Sequence, residues 1–455
     1  MLTSKYFMKK AALLLWGYLL LTPITNAQGV LDVYLKEGLE NNLVLNEKNI
    51  ELERSLLALK DAKSYFLPAM EFGGSYTLAS GGRTIAFPIG DLLNPVYSTL
   101  NQLTGSATFP QLENVSEQLL PDNFYDARFR TTLPILNTDL NYQKKIREKQ
   151  VLLSEYELKI YQANLIQDIK LAYFNFCTAH TALGVIESSM GLVAQNLKDN
   201  QSLLANGKGL PSAVLRAESE VENINSLRIE AESRKRNAAH YLNFLLNRPV
   251  QNQVIFEEQP ADSEKLTQLL GEESLSGRAE LLQIQTAESI QETALKAGKN
   301  YWIPKVSTYA DLGSQGFDWT FDQQSRYLLW GLNLSVPVFQ GNRNRTQIHR
   351  SELGLKSIKN QKTLLSTKLE LDLQLTKNQI RTNQAALRSA EKKLESSEAY
   401  FRLVDRGFRE GANSLIEFID ARNQLTQASL QKTITSYDLL KSIAQLERQL
   451  ITETY

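Results

Sequence analysis

Cysteine and histidine are scarce in this chain of 455 residues. It contains one cysteine, Cys177, and three histidines that lie far apart in the sequence, His180, His240 and His349. One cysteine cannot form a disulfide within the chain, and these side chains do not have the spacing of a metal site. The sequence also has no P-loop, no G-x-S-x-G and no H-E-x-x-H segment. We therefore expect no enzyme activity, no metal site and no cofactor.

An excess of charge of either sign is lacking too. Lys plus Arg and Asp plus Glu both number 50, which gives a formal net charge of zero. Domains that bind nucleic acid usually carry a strongly basic face. The balance gives no reason to expect a nucleic-acid partner.

Long hydrophobic runs are absent apart from the N-terminus. There, Lys9 and Lys10 precede the apolar run 11–21, and Thr25–Ala27 has the small residues of a cleavage site. This pattern predicts a secretory signal peptide over residues 1–27, with a membrane anchor as the alternative. Because no later run reaches the length of a spanning helix, the mature chain can cross a membrane only with β-strands.

A duplication organises the rest of the chain. Residues 59–68 (LKDAKSYFLP) and 295–304 (LKAGKNYWIP) are identical at five of ten positions. After each copy come strand-like segments, a second proline (Pro134 or Pro337) and a long helical pattern. We predict two tandem repeats of helix, strand, strand, long helix and helix. Their predicted bounds are 28–247 and 264–455, with a proline-containing linker over 248–263.

Four segments alternate between apolar and polar residues, which predicts strands. Their bounds are about 69–79, 124–134, 305–313 and 327–337. One face of these strands is apolar, and the other carries charged residues: Glu71, Asp126, Arg128, Arg130 and Asp311. The lengths suit a tilted membrane crossing, although a soluble sheet alternates in the same way. Four strands cannot close a barrel, so membrane-spanning strands require several chains to share one.

The segment between the first two strands, residues 80–123, is rich in Gly, Pro, Asn and Ser. We predict an extended extracellular surface loop with a short helix around 91–103.

Two helical patterns are too long for an ordinary globular domain. Residues 137–206 and 341–406 contain no proline, and each leads through a glycine-containing turn into a return helix. Hydrophobic residues recur at intervals of seven toward their C-terminal ends, which predicts coiled-coil hairpins over about 137–246 and 341–452. Single shorter helices are predicted before each strand pair, over about 30–66 and 266–302.

With these features the chain resembles the outer-membrane efflux protein family, the TolC-like exit ducts of Gram-negative bacteria. The resemblance covers about Val30 to Leu450. It depends on the doubled YFLP and YWIP strand entries, the PILN and PVFQ strand exits, and the segment GFREGANSLIEFIDAR. It implies a homotrimer with a 12-stranded β-barrel in the outer membrane and a periplasmic α-helical barrel. It also implies a passive, gated duct whose partners are a periplasmic adaptor and an inner-membrane RND or ABC pump.

The resemblance points to Glu417 and Asp420 as the acidic rings of a constricted periplasmic mouth that favours cations. The alternative is that acidic residues early in a helix simply offset its dipole. Phe408 and Asn413 occupy positions where well-studied members carry a Tyr and an Arg that latch the closed mouth, so the same latch is not expected. A different latch built from residues 405–410 is an alternative.

Turn glycines at both hairpin tips are predicted to adopt positive φ and to lie where the adaptor or pump binds. They are Gly207, Gly209, Gly407 and Gly411. The charged strand residues are expected to line the outer pore, either tuning it or simply facing water. Two further alternatives stay open from the sequence: a coiled-coil scaffold without a pore, and a heavy-metal duct, against which the absence of Met- or His-rich tracts argues.

Overall fold

The computed structural model describes residues 29–260, 263–273, 275 and 277–450. The predicted signal peptide and its cleavage site lie outside the described residues. The chain divides into two compact units. Among the described residues, one unit contains those within 29–54, 152–287 and 357–450; the other contains 55–151 and 288–356.

Helices and strands follow one another in the order that the sequence predicts for two repeats. The helices are α1 Val30–Asn41, α2 Leu43–Ser64, α3 Ile89–Thr104, α4 Thr138–Ala205, α5 Pro211–Leu245, α6 Ser263–Gly271, α7 Ala279–Lys299, α8 Arg343–Arg409 and α9 Leu415–Leu450. The strands are β1 Ala69–Thr77, β2 Thr84–Phe87, β3 Val115–Gln118, β4 Phe124–Leu136, β5 Lys305–Phe317 and β6 Arg326–Ser335. The mainly helical fold class with two repeats is confirmed.

The single short helix predicted before each strand pair is wrong, because two helices are present in each case. In the first repeat the break falls at Asn42, whose backbone is extended at ψ 123°. Its side chain accepts a hydrogen bond from the Leu45 backbone N–H and donates one to the Leu245 carbonyl, both at 3.0 Å. Asn42 therefore caps α2 and ties it to the return helix α5. In the second repeat α6 and α7 are separate helices.

The four long strands form one antiparallel sheet in the order β1-β4-β5-β6. The register places Phe72 opposite Phe129, Phe129 opposite Leu312, and Leu312 opposite Leu328. The apolar residues of all four strands thus share one face, as alternation predicts. The inner strands β4 and β5 have 13 residues each, more than predicted, because both have backbone partners on two sides. Within this sheet, β1 and β6 pair on one side only.

The long helices α4 and α8 have 68 and 67 residues. Seven-residue spacing brings Ile169 and Phe176 of α4, and Leu373 and Ile380 of α8, into one buried cluster with residues of α5 and α9. On the same helix α8, the small residues Thr376, Ala390, Ser397 and Val404 are also buried. Small side chains let neighbouring helices approach closely. None of the described helices combines the length and apolar character needed to cross a bilayer.

The segment 80–123 is more ordered than the predicted extended loop. Strands β2 and β3 pair along four residues each and form the base of the insertion, and α3 runs from Ile89 to Thr104 between them. The short helix was predicted, but the strand pair was not. Four-residue strands exposed on both faces leave no alternation for a sequence pattern to detect.

Candidate gate and pore-lining residues

The turn between α8 and α9 is held by backbone hydrogen bonds, two of which share one carbonyl. The Ala412 and Asn413 N–H groups donate to the Gly407 carbonyl at 2.7 and 3.1 Å. Gly411 has φ +78°, which a residue with a Cβ rarely adopts. Gly407 is different, because it belongs to α8 and does not have positive φ, contrary to prediction. A Cβ there would strike the Asn413 side chain.

Glu417 caps the helix that follows this turn. Its carboxylate accepts hydrogen bonds from the Ser414 N–H at 2.7 Å and the Ser414 hydroxyl at 3.0 Å, and the Glu417 N–H donates to that hydroxyl oxygen at 3.3 Å. This reciprocal arrangement is a capping box. The hydrogen bond from the Ser414 backbone, followed by those from the side chains of Ser414 and Asn413, lowers the pKa of Glu417. Glu417 therefore caps the start of α9, a role that the sequence analysis did not assign to it, while its side chain stays exposed.

Asp420 lies three residues further along the same face of α9 and is also exposed. Its carboxylate accepts a hydrogen bond from the Gln424 side chain at 2.7 Å. It takes no part in the capping box. Two exposed carboxylates therefore lie side by side at the start of α9, and Asp420 has the fewer hydrogen bonds.

Phe408 belongs to the apolar core of the hairpin tip. Its ring stacks on Phe418 at 4.9 Å between centroids, and Phe401 approaches the other end of the same cluster. The charged residues proposed for a different latch pair with one another at the C-terminal end of α8: Arg409 with Asp405 at 2.9 Å and Arg406 with Glu410 at 3.2 Å. Both pairs have the i,i+4 spacing of a solvated helix face.

The turn between α4 and α5 is built differently. Gly207 has φ +71°, as predicted. Gly209 does not have positive φ; it is required because a Cβ there would lie 2.6 Å from the Leu204 nitrogen. No acidic pair corresponding to Glu417 and Asp420 follows this turn in the sequence, where residues 215–218 are Leu, Arg, Ala and Glu.

The charged face of the sheet forms ion pairs that the sequence did not specify. Arg130 on β4 lies directly opposite Asp311 on β5. Its guanidinium donates two hydrogen bonds to that carboxylate at 2.7 and 2.6 Å. Asp311 is 1% exposed, so this planar, two-point contact shields its charge.

A second ion pair on this face is hydrogen-bonded by a tyrosine that the sequence pattern did not identify as pore-lining. Arg128 donates to Asp126 at 2.5 Å, and the Tyr327 hydroxyl donates to the other Asp126 oxygen at 2.9 Å. Tyr327 lies on the polar face of β6, and only the sheet register brings it to Asp126. Glu71 faces Arg130 across β1 and β4, but the Arg130 guanidinium is directed at Asp311. Glu71 therefore adds a negative charge that the two pairs do not balance.

Within the described parts of the chain, His, Cys, Asp and Glu side chains do not gather in any group of three or more that could hold a metal ion.

Comparison with known proteins shows similarity to outer-membrane efflux and secretion proteins in sequence and to outer-membrane channels in fold. The outer membrane efflux protein family model matches residues 270–450. The outer membrane protein TolC of Escherichia coli is 18% identical over 449 residues, covering 95% of this chain and 84% of that protein. The alkaline protease secretion protein AprF of Pseudomonas aeruginosa is 21% identical over 343 residues, covering 71% of this chain and 70% of that protein. The solved structure of the Campylobacter jejuni CmeC outer membrane channel has a TM-score of 0.73 at 15% identity, covering 92% of this chain and 85% of that one.

The sheet with one apolar and one charged face, joined to coiled-coil hairpins, therefore has the architecture of an outer-membrane channel. The chain resembles the TolC-like outer membrane efflux proteins in sequence over nearly its whole length and in fold. It acts in the outer membrane of a Gram-negative bacterium as an exit duct for efflux or secretion.

Proposed function

We propose that three copies of this chain form one passive duct, each contributing four strands to a 12-stranded barrel and its hairpins to a periplasmic helical barrel. The observation that carries this proposal is the four-stranded sheet, whose strands β1 and β6 each pair on one side only within it. An unpaired strand edge in lipid costs several kcal/mol for each unsatisfied backbone group. Neighbouring copies remove that cost by joining β1 of one to β6 of the next.

The duct performs no covalent chemistry and selects cargo by charge and width. Asp420 and Glu417 supply six carboxylates in two rings at the periplasmic mouth of a trimer. Their exposure on one face of α9 supports this role. Because Glu417 also caps α9, Asp420 is the residue whose charge is directed mainly at passing ions.

The tips of the two hairpins are the contact sites for a periplasmic adaptor, which connects the duct to an inner-membrane RND or ABC pump. Large apolar side chains support this proposal, because Leu210, Leu215 and Ile416 are strongly exposed at the tips. Apolar residues exposed together on a protein surface often mark a binding site. Gly207, Gly209 and Gly411 shape these turns, and the Asn413 side chain occupies the space beside Gly407 that a Cβ would need.

Reconstitution tests the duct directly. The chain is extracted from outer membranes with detergent, its mass is measured by native mass spectrometry, and its conductance is recorded in planar bilayers. We expect trimers that produce discrete, cation-selective conductance steps. A monomer that dissolves without detergent and gives no conductance contradicts the proposal and favours a periplasmic coiled-coil scaffold.

A further inference from the structure

The insertion between β1 and β4 contains a helix with two contrasting faces. One face of α3 is bound by the chain that returns from it. The Asn94 side chain donates to the Leu112 carbonyl at 2.9 Å and accepts from the Leu112 N–H at 2.7 Å. Asn101, two turns later, makes the same pair of bonds with Phe109 at 2.8 and 3.0 Å. These paired amide contacts fix the orientation of α3 in the insertion.

The opposite face of α3 is apolar and uncovered in the single chain. Leu92, Val96 and Leu103 are 69%, 52% and 79% exposed. Together with Thr99 they follow the 4-3-4 spacing of a heptad, on the side of the helix away from Asn94 and Asn101. Asp91 is the only charged residue in α3. A continuous stripe of apolar side chains exposed to water favours association, so such a stripe usually marks a surface that a partner covers.

We infer that this stripe is covered by the α3 helices of neighbouring copies, so that three insertions meet through a short helical seam beyond the barrel. The inference rests on the proposed trimer. A narrow stripe of heptad spacing matches a helix–helix seam. Helices that lie on lipid surfaces instead carry Lys or Arg along their polar face, and α3 has neither.

The topology places α3 beside the proposed subunit boundary. The insertion leaves β1 after Thr77, and β1 is an edge strand of the sheet. In the proposed trimer the free edge of β1 is the edge that meets the next copy. Helices of 16 residues associate only weakly when they are free in solution. Attachment of three copies to one barrel raises their effective concentration to about the millimolar range, which favours their association.

Cysteine cross-linking in the full chain tests the seam. Cys177 is fully buried, so introduced cysteines are the reactive ones. We compare Leu92→Cys and Leu103→Cys with Gln102→Cys, an exposed position about a quarter-turn away on the same helix. After oxidation of intact outer membranes, the first two variants should form disulfide-linked dimers, and Gln102→Cys should remain unlinked. Adding Leu103→Asp to Leu92→Cys should abolish the link, because it places carboxylates in the seam.

The outcomes separate this inference from the proposed function. Trimers that react with a maleimide at positions 92 and 103 but form no disulfide overturn the seam and leave the duct intact. Equal linking at positions 92, 102 and 103 also overturns it, since that pattern shows random collision of a loose insertion. A preparation without trimers overturns the duct and the seam together.

Discussion

Arg422 of α9 donates a hydrogen bond to Glu220 of α5 at 2.8 Å, and the two residues are only 3% and 8% exposed. The pair joins the hairpin of the second repeat to the return helix of the first. Arg216 approaches the other Glu220 oxygen at 3.2 Å from the exposed side. An ion pair removed from water in this way is costly to break, because removing one partner leaves the other charge buried.

We expect Arg422→Ala to lower the free energy of unfolding by about 3 kcal/mol. The loss should appear as a lower midpoint of thermal helix loss, followed by circular dichroism in detergent. The double variant Arg422→Met with Glu220→Met replaces both charges by apolar side chains and should recover most of that midpoint. Arg402→Ala, an exposed position on α8, serves as the matched control. A double variant less stable than Arg422→Ala would contradict this account.

Neutralising Asp420 should weaken cation selectivity more than neutralising Glu417. Glu417→Gln preserves the capping box, since glutamine fills the same position, and removes only the charge. Asp420→Asn removes the carboxylate that lies outside the box. The reversal potential in planar bilayers under a salt gradient, together with block by multivalent cations, measures both effects.

Ser414→Ala is the control for the helix cap in that comparison. It removes the hydroxyl that bonds Glu417 and should cost about 1 kcal/mol of stability with little change in selectivity. The Ser414 backbone N–H, the main cause of the lowered pKa of Glu417, still donates in this variant, but without the hydroxyl hydrogen bond Glu417 should lose its charge at a somewhat higher pH than in the wild type. Selectivity that is the same in the wild type, Glu417→Gln and Asp420→Asn excludes the acidic rings.

Periodicity in the sequence was sufficient to predict the elements that repeat a local pattern. The alternation around Phe72 and Phe129 identified the apolar face of the sheet, and heptads identified the buried seam containing Ile169 and Ile380. Each of these signals lies within one element, where side-chain direction follows from backbone geometry.

Contacts between distant residues could not be predicted in this way. Arg422 and Glu220 are 202 residues apart, and nothing near either residue indicates the other. The break at Asn42 depends on the Leu245 carbonyl, which lies 203 residues away. The capping box at Ser414 and Glu417, in contrast, could have been predicted, because its S-x-x-E spacing is visible in the sequence. The interpretation of Glu417 as part of an acidic ring did not use that signal.

Stability should fall in acid partly through Glu280. Burial alone would raise the pKa of this carboxyl, but hydrogen bonds from Arg278 and Arg448, at 2.8 and 2.6 Å, lower it to about 2. A lowered pKa means that the charged form stabilises the fold. This contribution is fully present above the usual value of 4.5 and is lost as the pH falls toward about 2.

We therefore expect Glu280→Gln to be less stable than the wild type at neutral pH by about 3 kcal/mol, with the difference shrinking between pH 4.5 and pH 2. Thermal midpoints measured across that range check the sign. Glu398→Gln, on the exposed surface of α8, should show no such convergence. A difference that stays constant down to pH 2 would show that Glu280 acts by packing and not by charge.

Asp311 and Arg130 should matter to the barrel as a pair. Asp311→Asn removes the charged, two-point contact with the Arg130 guanidinium, so the assembled barrel should dissociate at a lower temperature in detergent gels. Glu71→Gln on the neighbouring strand should not change that temperature, because Arg130 is directed away from it; it should instead reduce the cation preference of the outer pore. Combining Asp311→Asn with Arg130→Gln removes both charges and should restore part of the heat resistance. If Asp311→Asn leaves the dissociation temperature unchanged, the pair does not stabilise the assembled strands.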